Sequence, residues 1–269
     1  MVYDISAEVV GTIYSDYDFN VLNINHRGYS SIAPENTIPA YILSKKMGFT
    51  YVETDISFTS DGVPVLLHDA TIDRTSNGSG TLSNMTYSQV RQYDFGSWKS
   101  SEYAGTKIPS LEEFLSLCKK IMLHPYLELK WNENYTEAQI RQVVDMVESF
   151  GLKGKVTYIS FNSTFLQYVK TYDASARLGF IKTAYTSGDV DTCTGLKTAT
   201  NSVFYDTGYY NDNITQAMCD AFMAADIPVE AWTVDSAEVL LGLNKYVSGV
   251  TSDNLIAGKV LYDSVMNPS

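Results

Sequence analysis

From residue 20 onward, short apolar runs with strand character alternate with stretches that repeat apolar positions at helical spacing. Repeated βα units of this kind favour a parallel sheet, and eight strands are the number that closes a (β/α)8 TIM barrel. An open, doubly wound sheet is the alternative, although no Gly-x-Gly-x-x-Gly turn follows the first strand. The eight predicted strands are residues 21–25, 51–58, 121–129, 156–161, 177–181, 202–206, 228–234 and 249–252.

Residues 70–107 interrupt this rhythm after the second strand. The segment includes a glycine-rich run at 76–80 and continues as a polar, aromatic stretch around Trp98, and it is too long for a plain loop. We therefore predict an insertion into a single barrel domain that spans 21–269 and follows an N-terminal extension at 1–20.

Two helix starts have the spacing of a capping box, in which paired side chains satisfy exposed backbone donors. The pairs are Ser110 with Glu113 and Asp235 with Glu238. Each pair predicts the junction between the end of a loop and the next helix.

The acidic charge balance limits the kinds of partner that we expect. The 269 residues include 19 basic and 31 acidic side chains, which is a net charge of −12. Such a surface repels polyanions, so no nucleic-acid binding is expected, and docking on anionic membranes is disfavoured. A substrate that carries phosphate therefore needs positive charge that is local to its site.

The chain is expected to fold without covalent or metal supports, because a domain of this size buries about 75% of the surface that its unfolded form exposes. Its three cysteines, Cys118, Cys193 and Cys219, lack the spacing of a zinc site or a disulfide framework and are predicted to be buried. No apolar run reaches the roughly 18 residues of a membrane span, and no signal-peptide pattern opens the chain. We expect a soluble protein that is either cytoplasmic or exported, and the sequence predicts no particular oligomeric state.

Strand alternation predicts three carboxylates inside the barrel. Glu53 and Asp55 share one face of the second strand, and Glu128 shares the inward face of the third strand with Lys130. Burying unpaired carboxylates costs several kcal/mol each, and a divalent cation removes that cost. All-oxygen ligands favour Mg²⁺ or Ca²⁺ over zinc. The alternative is that Glu53 and Asp55 are solvated or pair with Arg27 and Lys130.

Two of the three histidines follow apparent strand ends, where barrel active sites lie. His26 follows 21–25, and His68 follows 63–67. Because the unperturbed pKa of histidine is roughly 6.5, one copy can remove a proton while another donates one. Phosphodiester cleavage needs both acts, and the neighbouring cations could bind the phosphate, Arg27 through a bidentate fork and Lys130 as a point charge.

Two further aromatic residues, Trp232 and His124, are placed by their positions along the strands. Trp232 has the same strand parity as Glu230, which is compatible both with projection into the barrel mouth over a bound glycerol and with core packing. His124 lies near the opposite end of its strand and is predicted to be structural.

Taken in order, the polar motifs of this chain resemble the glycerophosphodiester phosphodiesterase family. The likeness is dense over residues 24–130 and thins afterwards to 159–161, 232–234 and 249–254. The matching motifs are His26-Arg27-Gly28, Pro34-Glu35-Asn36-Thr37, Glu53-Thr54-Asp55, Asp61-Gly62, His68-Asp69, Asp73-Arg74-Thr75, residues 105–113 and Glu128-Leu129-Lys130.

The resemblance implies a TIM barrel that hydrolyses a small glycerophosphodiester to glycerol 3-phosphate and an alcohol, with one divalent cation, Mg²⁺ or Ca²⁺. Attack by water and attack by the glycerol 2-hydroxyl are both compatible with it. By matching position, the resemblance assigns metal binding to Glu53, Asp55 and Glu128, acid/base catalysis to His26 and His68, and phosphate binding to Arg27 and Lys130.

The resemblance also implies supporting roles in the first loop. Glu35 would orient that loop and hydrogen-bond to catalytic groups, while Asn36 or Thr37 would cap the following helix. The chain departs from the family at Asp235, where members often carry asparagine, and over 182–201. Both departures concern the substrate pocket rather than the metal site.

Two other functions are compatible with the same barrel. The first is a phospholipase C- or D-like phosphodiesterase, which the family-like motifs of the insertion disfavour. The second is a binding module without catalysis, for which the loss of a metal ligand or a histidine would be expected, and neither is lost here.

Overall fold

The computed structural model of the protein describes residues 21–130, 135–210, 213–243 and 246–254. The strands are β1 (Leu22–Asn25), β2 (Tyr51–Phe58), β3 (Pro64–Leu66), β4 (His124–Leu129), β5 (Thr157–Ser160), β6 (Arg177–Lys182), β7 (Val203–Gly208), β8 (Val229–Trp232) and β9 (Gly249–Ser252). The helices are α1 (Ile38–Lys46), α2 (Tyr87–Val90), α3 (Leu111–Ile121), α4 (Glu137–Ser149), α5 (Ser163–Tyr172), α6 (Gly188–Leu196), α7 (Gln216–Ala224) and α8 (Ala237–Leu243).

Eight parallel strands close into a barrel. Their order is β1-β9-β8-β7-β6-β5-β4-β2, and the pairing of β1 with β2 completes the ring. The predicted (β/α)8 TIM barrel is thus confirmed with all eight strands. The alternative prediction of an open, doubly wound sheet is wrong.

The ninth strand, β3, is an antiparallel partner of β2 outside the ring. Phe58 pairs with Pro64 and Ile56 with Leu66, so β2 and β3 form a hairpin at the barrel rim. The apolar run 63–67 is therefore not a ring strand that runs up through the barrel wall. It runs antiparallel to β2, from the tip of the hairpin back to the level of Asp55, and so ends at the mouth from the opposite direction.

The barrel strands have an apolar outer face and a mixed inner face, as their alternation predicts. Leu127 and Leu129 pack outward in the large core between the strands and the helices. A separate inner cluster fills the barrel with Ile24, Tyr126, Ile159, Ile181 and Phe204. Polar inner positions are thereby concentrated near the mouth.

The segment 70–107 forms two 3-10 turns, Leu82–Asn84 and Ser101–Tyr103, around the short helix α2. It packs with β3 on an apolar cluster of its own, which consists of Val65, Leu67, Ile72, Leu82, Val90, Phe95 and Ile108. The barrel domain at 21–269 with this insertion stays a prediction, and the expected extension at 1–20 lies outside the described residues.

One of the two predicted capping boxes is confirmed. The Ser110 hydroxyl accepts the N–H of Glu113 at 3.1 Å, and the Glu113 carboxylate accepts the N–H of Ser110 at 2.9 Å. The box of Asp235 with Glu238 is wrong. Asp235 Oδ1 instead accepts the N–H of Asp253 at 2.7 Å, because the loops after β8 and β9 lie side by side.

The three cysteines, Cys118, Cys193 and Cys219, are free and buried, as predicted. Within the described ranges, every helix is too short or too polar to cross a bilayer.

We predict that Gly179→Ala lowers the free energy of unfolding by about 1–3 kcal/mol, the usual cost of overpacking a core. A Cβ at Gly179 would lie 2.3 Å from Phe204 Cζ and 2.7 Å from Ile159 Cγ2 inside the barrel. Urea denaturation measures the change. The control is Gly195→Ala in α6, where an added Cβ meets nothing within 4 Å and should stabilise the helix by up to about 1 kcal/mol. Equal midpoints for both variants would contradict the tight interior packing.

Candidate active site

A cavity of about 200 Å³ opens at the carboxyl ends of the barrel strands. Seven of the nine predicted site residues line it, and the other two, Asp55 and Glu35, contact Arg27 behind the lining. The seven are His26, Arg27, Glu53, His68, Glu128, Lys130 and Trp232.

Three buried carboxylates form a cluster at one side of this cavity. The ligand oxygens of Glu53, Asp55 and Glu128 all lie within 4.8 Å of one another. Their exposed fractions are 3%, 0% and 8%, and Asp55 is the direct strand neighbour of Glu128. Three oxygen donors at this spacing suit a hard divalent cation.

The electrostatics of the cluster are unbalanced. Burial raises the pKa of Glu53, and the charges of Asp55 and Glu128 raise it further. Burial, together with Asp55, raises the pKa of Glu128 to about 7 in spite of Lys130. Burial also opposes the charge of Asp55, but Lys130 and Arg27 lower its pKa overall. Asp55 is therefore compensated, whereas Glu53 and Glu128 are compensated only in part.

Glu53 provides the test of whether a cation fits. Its Oε2 accepts the backbone N–H of Arg27 at 3.0 Å, and its Oε1 is buried with no hydrogen-bond partner in the described part of the chain. A buried carboxylate oxygen without a partner is costly unless a cation takes it. The residues present thus fit a divalent metal site.

Arg27 and Lys130 bring the positive charge that the acidic surface lacks. Lys130 Nζ lies 2.9 Å from Glu128 Oε1 and 3.2 Å from Asp55 Oδ1, and Arg27 Nε lies 3.2 Å from Asp55 Oδ2. Burial opposes both charges, yet the surrounding carboxylates raise the pKa of each cation. Asp55 thus makes the ion pairs with Arg27 and Lys130 that the sequence offered as an alternative, and it still lies in the cluster with the other two carboxylates.

Each cavity histidine is held by a carboxylate at Nδ1. His26 Nδ1 lies 2.8 Å from Asp253 Oδ1, and its Nε2 lies 4.0 Å from Glu53 Oε2. His68 Nδ1 lies 2.7 Å from Asp69 Oδ1. Burial lowers the pKa of His68, which favours its neutral form. Both rings are thereby oriented from the side opposite to Nε2.

A tight turn after β1 carries His26 and Arg27 into the mouth. Arg27 and Gly28 have φ angles of 56° and 78°. A Cβ at Gly28 would lie 2.7 Å from the Cβ of Ala40 in α1. Glycine therefore allows both the left-handed backbone and the close approach to the helix.

The hairpin of β2 and β3 delivers His68 by a different route. The N–H of Leu67 donates to the carbonyl of Asp55 at 3.1 Å, so the chain returns beside the carboxylate cluster. His68 is the next residue and lines the cavity. The strand that supplies two of the carboxylates thus also leads to this histidine.

Asn36 has a role that the sequence did not predict. Its Nδ2 donates to Asp55 Oδ2 at 2.7 Å, and its Oδ1 accepts from the hydroxyls of Thr54 and Tyr41 at 2.9 and 3.0 Å. Thr37 occupies the N-cap position of α1, as expected, but its side chain makes no capping hydrogen bond, because its hydroxyl donates to the carbonyl of Pro34 instead.

Arg74, from the insertion, connects both sides of the mouth. Its Nε donates to Asp69 Oδ2 at 2.7 Å, and its Nη1 and Nη2 donate to the two oxygens of Glu35 at 2.7 and 2.9 Å. Glu35 also accepts from Arg27 Nη1 at 2.8 Å. The carboxylate that holds His68 and the one that holds Arg27 are therefore joined through one guanidinium.

The opposite wall of the cavity is mainly apolar. Trp232 lines it and makes an edge-to-face contact with Phe161, with ring centroids 5.8 Å apart. Tyr210 makes a similar contact with Trp232 at 6.3 Å. Ile181 and Asp206 also line the cavity, and the sequence did not single out Asp206.

Comparison with known proteins identifies the family. The profile of the glycerophosphoryl diester phosphodiesterase family matches residues 26–257. The chain belongs to this family. Among related sequences, the glycerophosphodiester phosphodiesterase of Caldanaerobacter subterraneus is 27% identical over 87% of this chain and 94% of its own length. Glycerophosphodiester phosphodiesterase 1 of Mus musculus is 41% identical over 45% of this chain, and the match spans only 37% of the mouse protein.

Solved structures of family members share the architecture. A phosphodiesterase from Oleispira antarctica, solved in complex with the product sn-glycerol-3-phosphate, superposes with a TM-score of 0.76 at 27% identity, over 91% of this chain and 97% of that chain. A putative glycerophosphoryl diester phosphodiesterase from Silicibacter pomeroyi superposes with a TM-score of 0.78 at 19% identity, over 90% and 93% of the two chains. The second likeness supports the fold alone.

We predict that Mg²⁺ or Ca²⁺ stabilises the family member described here, by about 2.7 kcal/mol when the ion is present at 100 times its Kd. Glu53→Gln should lose most of this stabilisation by the ion. Without the ion, the variant should have a higher urea midpoint than the wild-type protein, because the substitution removes charge repulsion from Asp55 and Glu128. Urea denaturation with each ion added separately measures both effects. The exposed variant Glu112→Gln is the control, and equal stabilisation of Glu53→Gln and the control would place the ion elsewhere.

Proposed function

We propose that the protein is a metal-dependent phosphodiesterase that hydrolyses glycerophosphodiesters to glycerol 3-phosphate and an alcohol. The observation that carries the proposal is the convergence on one cavity of a buried carboxylate cluster, two cations and two carboxylate-held histidines. Membership in the glycerophosphoryl diester phosphodiesterase family supports it.

In this proposal Glu53, Asp55 and Glu128 hold one divalent cation, Mg²⁺ or Ca²⁺. When bound, the cation supplies positive charge for a phosphoryl oxygen and for the group that attacks phosphorus. Asn36 holds the Asp55 carboxylate in place through its hydrogen bond of 2.7 Å.

Arg27 and Lys130 bind the phosphate on the side of the carboxylate cluster. Glu35 fixes the guanidinium of Arg27 from behind, and Arg74 fixes Glu35 in turn. Charge-assisted hydrogen bonds from a guanidinium match the geometry of phosphate oxygens. The phosphodiester is therefore anchored at one end of the cavity.

His26 and His68 form the acid/base pair. Because Nδ1 of each ring contacts a carboxylate, Nε2 is the atom that exchanges a proton with the substrate. One histidine takes the proton of the attacking water or of the glycerol 2-hydroxyl, and the other donates a proton to the oxygen of the leaving alcohol. Attack by water gives glycerol 3-phosphate directly, whereas attack by the 2-hydroxyl gives a cyclic phosphate that a water molecule then opens to glycerol 3-phosphate, with the histidine roles exchanged. Each transfer contributes on the order of 10²–10⁴-fold to the rate.

The size of the cavity supports a small, deacylated substrate over a phospholipid. Its volume of about 200 Å³ lies below the roughly 300–1,000 Å³ of typical drug-sized ligand pockets. The Oleispira relative was solved with sn-glycerol-3-phosphate, a molecule of this small size. These two points favour glycerophosphodiesters over the substrates of a phospholipase C or D.

The first test is product identity. The protein should release glycerol 3-phosphate from glycerophosphocholine or glycerophosphoethanolamine, and EDTA should abolish the release because it removes the cation from the carboxylate cluster. A coupled enzyme assay for glycerol 3-phosphate measures the rate, with Mg²⁺ and Ca²⁺ added back separately. Phosphocholine as the product, or full turnover in excess chelator, would refute the proposal.

The second test is histidine replacement. His26→Ala and His68→Ala should each lower kcat by about 10²–10⁴-fold while leaving cation binding nearly intact, because neither ring is a metal ligand in the proposal. Turnover and calorimetric cation titration measure the two properties. His124→Ala, at the start of β4 and outside the cavity, is the matched control. Loss of cation binding in either cavity variant would mean that the histidine is a ligand rather than a catalyst.

A further inference from the structure

Asp206 is a buried carboxylate of the cavity for which the proposed chemistry has no use. It lies on β7, which is opposite β2 in the ring, so it faces the carboxylate cluster across the cavity. The residue is 3% exposed, and its Oδ1 is buried with no hydrogen-bond partner among the described residues.

The nearby cation is engaged by another carboxylate. Arg177 donates to Glu230, the neighbour of Asp206 on β8, and also to the hydroxyl of Tyr126. Its guanidinium lies 4.2 Å from the ring centroid of Phe204. Burial and the charge of Glu230 raise the pKa of Asp206, and Arg177 offsets this only in part. Because its buried Oδ1 has no partner among the described residues, Asp206 could accept a hydrogen bond from a bound ligand.

The surroundings of Asp206 define what kind of donor fits. A phosphate cannot serve, because it is anionic and accepts hydrogen bonds. The adjoining wall of Ile181, Phe161 and Trp232 offers apolar contact beside the carboxylate. A short polyol matches this combination, since its hydroxyls donate while its carbon chain covers apolar surface.

Arg27, Lys130 and this wall line the same cavity of about 200 Å³, so a phosphate held by the two cations would place the glycerol arm beside the wall. The glycerol arm is small and is the same in every glycerophosphodiester, so it suits the closed side of the cavity. The alcohol differs between substrates and would point towards the open mouth. We propose that Asp206 accepts a hydrogen bond from the terminal hydroxyl of the glycerol moiety and thereby determines specificity for glycerol. This inference rests on the proposed hydrolysis of glycerophosphodiesters.

The test compares two substrates in several variants. One substrate is glycerophosphoethanolamine, and the other is its analogue without the terminal hydroxyl, which keeps the 2-hydroxyl. The wild-type protein should prefer the first by about 10- to 100-fold in kcat/KM, the effect expected when a buried polar atom of the site is left without its hydrogen bond. Asp206→Leu should abolish the preference by slowing only the first substrate, and Asp206→Asn, whose amide oxygen still accepts, should keep most of it.

A purely structural role for Asp206 gives a different result. In that case Asp206→Leu slows both substrates by the same factor and the preference survives, which would overturn the inference, as would a wild-type protein without any preference. Asp189→Asn is the control, because Asp189 is an equally buried aspartate on α6 outside the cavity lining. If Asp206→Leu does not fold, Asp206→Ala replaces it.

A binding measurement separates this inference from the proposed function. Calorimetry compares glycerol 3-phosphate with propane-1,2-diol 1-phosphate in the wild-type protein and in the same variants. If neither diester is hydrolysed, the proposed reaction is wrong, yet a hydroxyl preference in binding that Asp206→Leu removes still supports Asp206 as the glycerol contact. Equal binding of both phosphates by the wild-type protein refutes it.

Discussion

Mutual repulsion among three carboxylates is the constraint to which the rest of the mouth responds. Glu53, Asp55 and Glu128 are brought together by adjacent strands and are removed from water, so their charge has to be met locally. Arg27 and Lys130 meet it at Asp55, which leaves Glu53 as the least compensated member. In the proposed function a divalent cation would complete the balance, and a phosphate would then meet a site whose net charge is reversed from negative to positive.

The same charges organise the loops around the cavity. Arg27 is held by Glu35, Glu35 by Arg74, and Arg74 by Asp69, which in turn contacts His68. The chain of ion pairs begins in the loop after β1 and ends in the loop after β3. Loop positions that would otherwise depend on weak surface contacts are thus fixed by partly buried, charge-assisted hydrogen bonds.

The sequence predicted the features that depend on local periodicity. Period-two alternation was sufficient to identify the inward carboxylates Glu53, Asp55 and Glu128, because a strand has only two faces. The order of eight strands favoured the barrel, and the pairing of β1 with β2 decided it against the open sheet. The capping box of Ser110 and Glu113 was readable because both partners lie within one helical turn.

Features that depend on contacts between distant loops were not predictable. Asp253 contacts His26 across 227 residues, and the same loop takes the Asp235 side chain that would otherwise cap α8. Asn36 looked like a helix cap because its partner Asp55 lies in another element. Periodicity also cannot distinguish a ring strand from the return arm of a hairpin, which is why the strand at 63–67 was expected but its antiparallel pairing with β2 was not.

The hairpin has a consequence for how this site tolerates change. Because β2 carries Glu53 and Asp55 and then turns back to place His68, these three groups are joined by one short hairpin whose pairing fixes their relative positions. The insertion is attached beyond that path, after His68. The length and composition of the insertion can therefore diverge while the spacing between the two carboxylates and His68 is preserved, provided that Arg74 keeps its hydrogen bonds to Glu35 and Asp69.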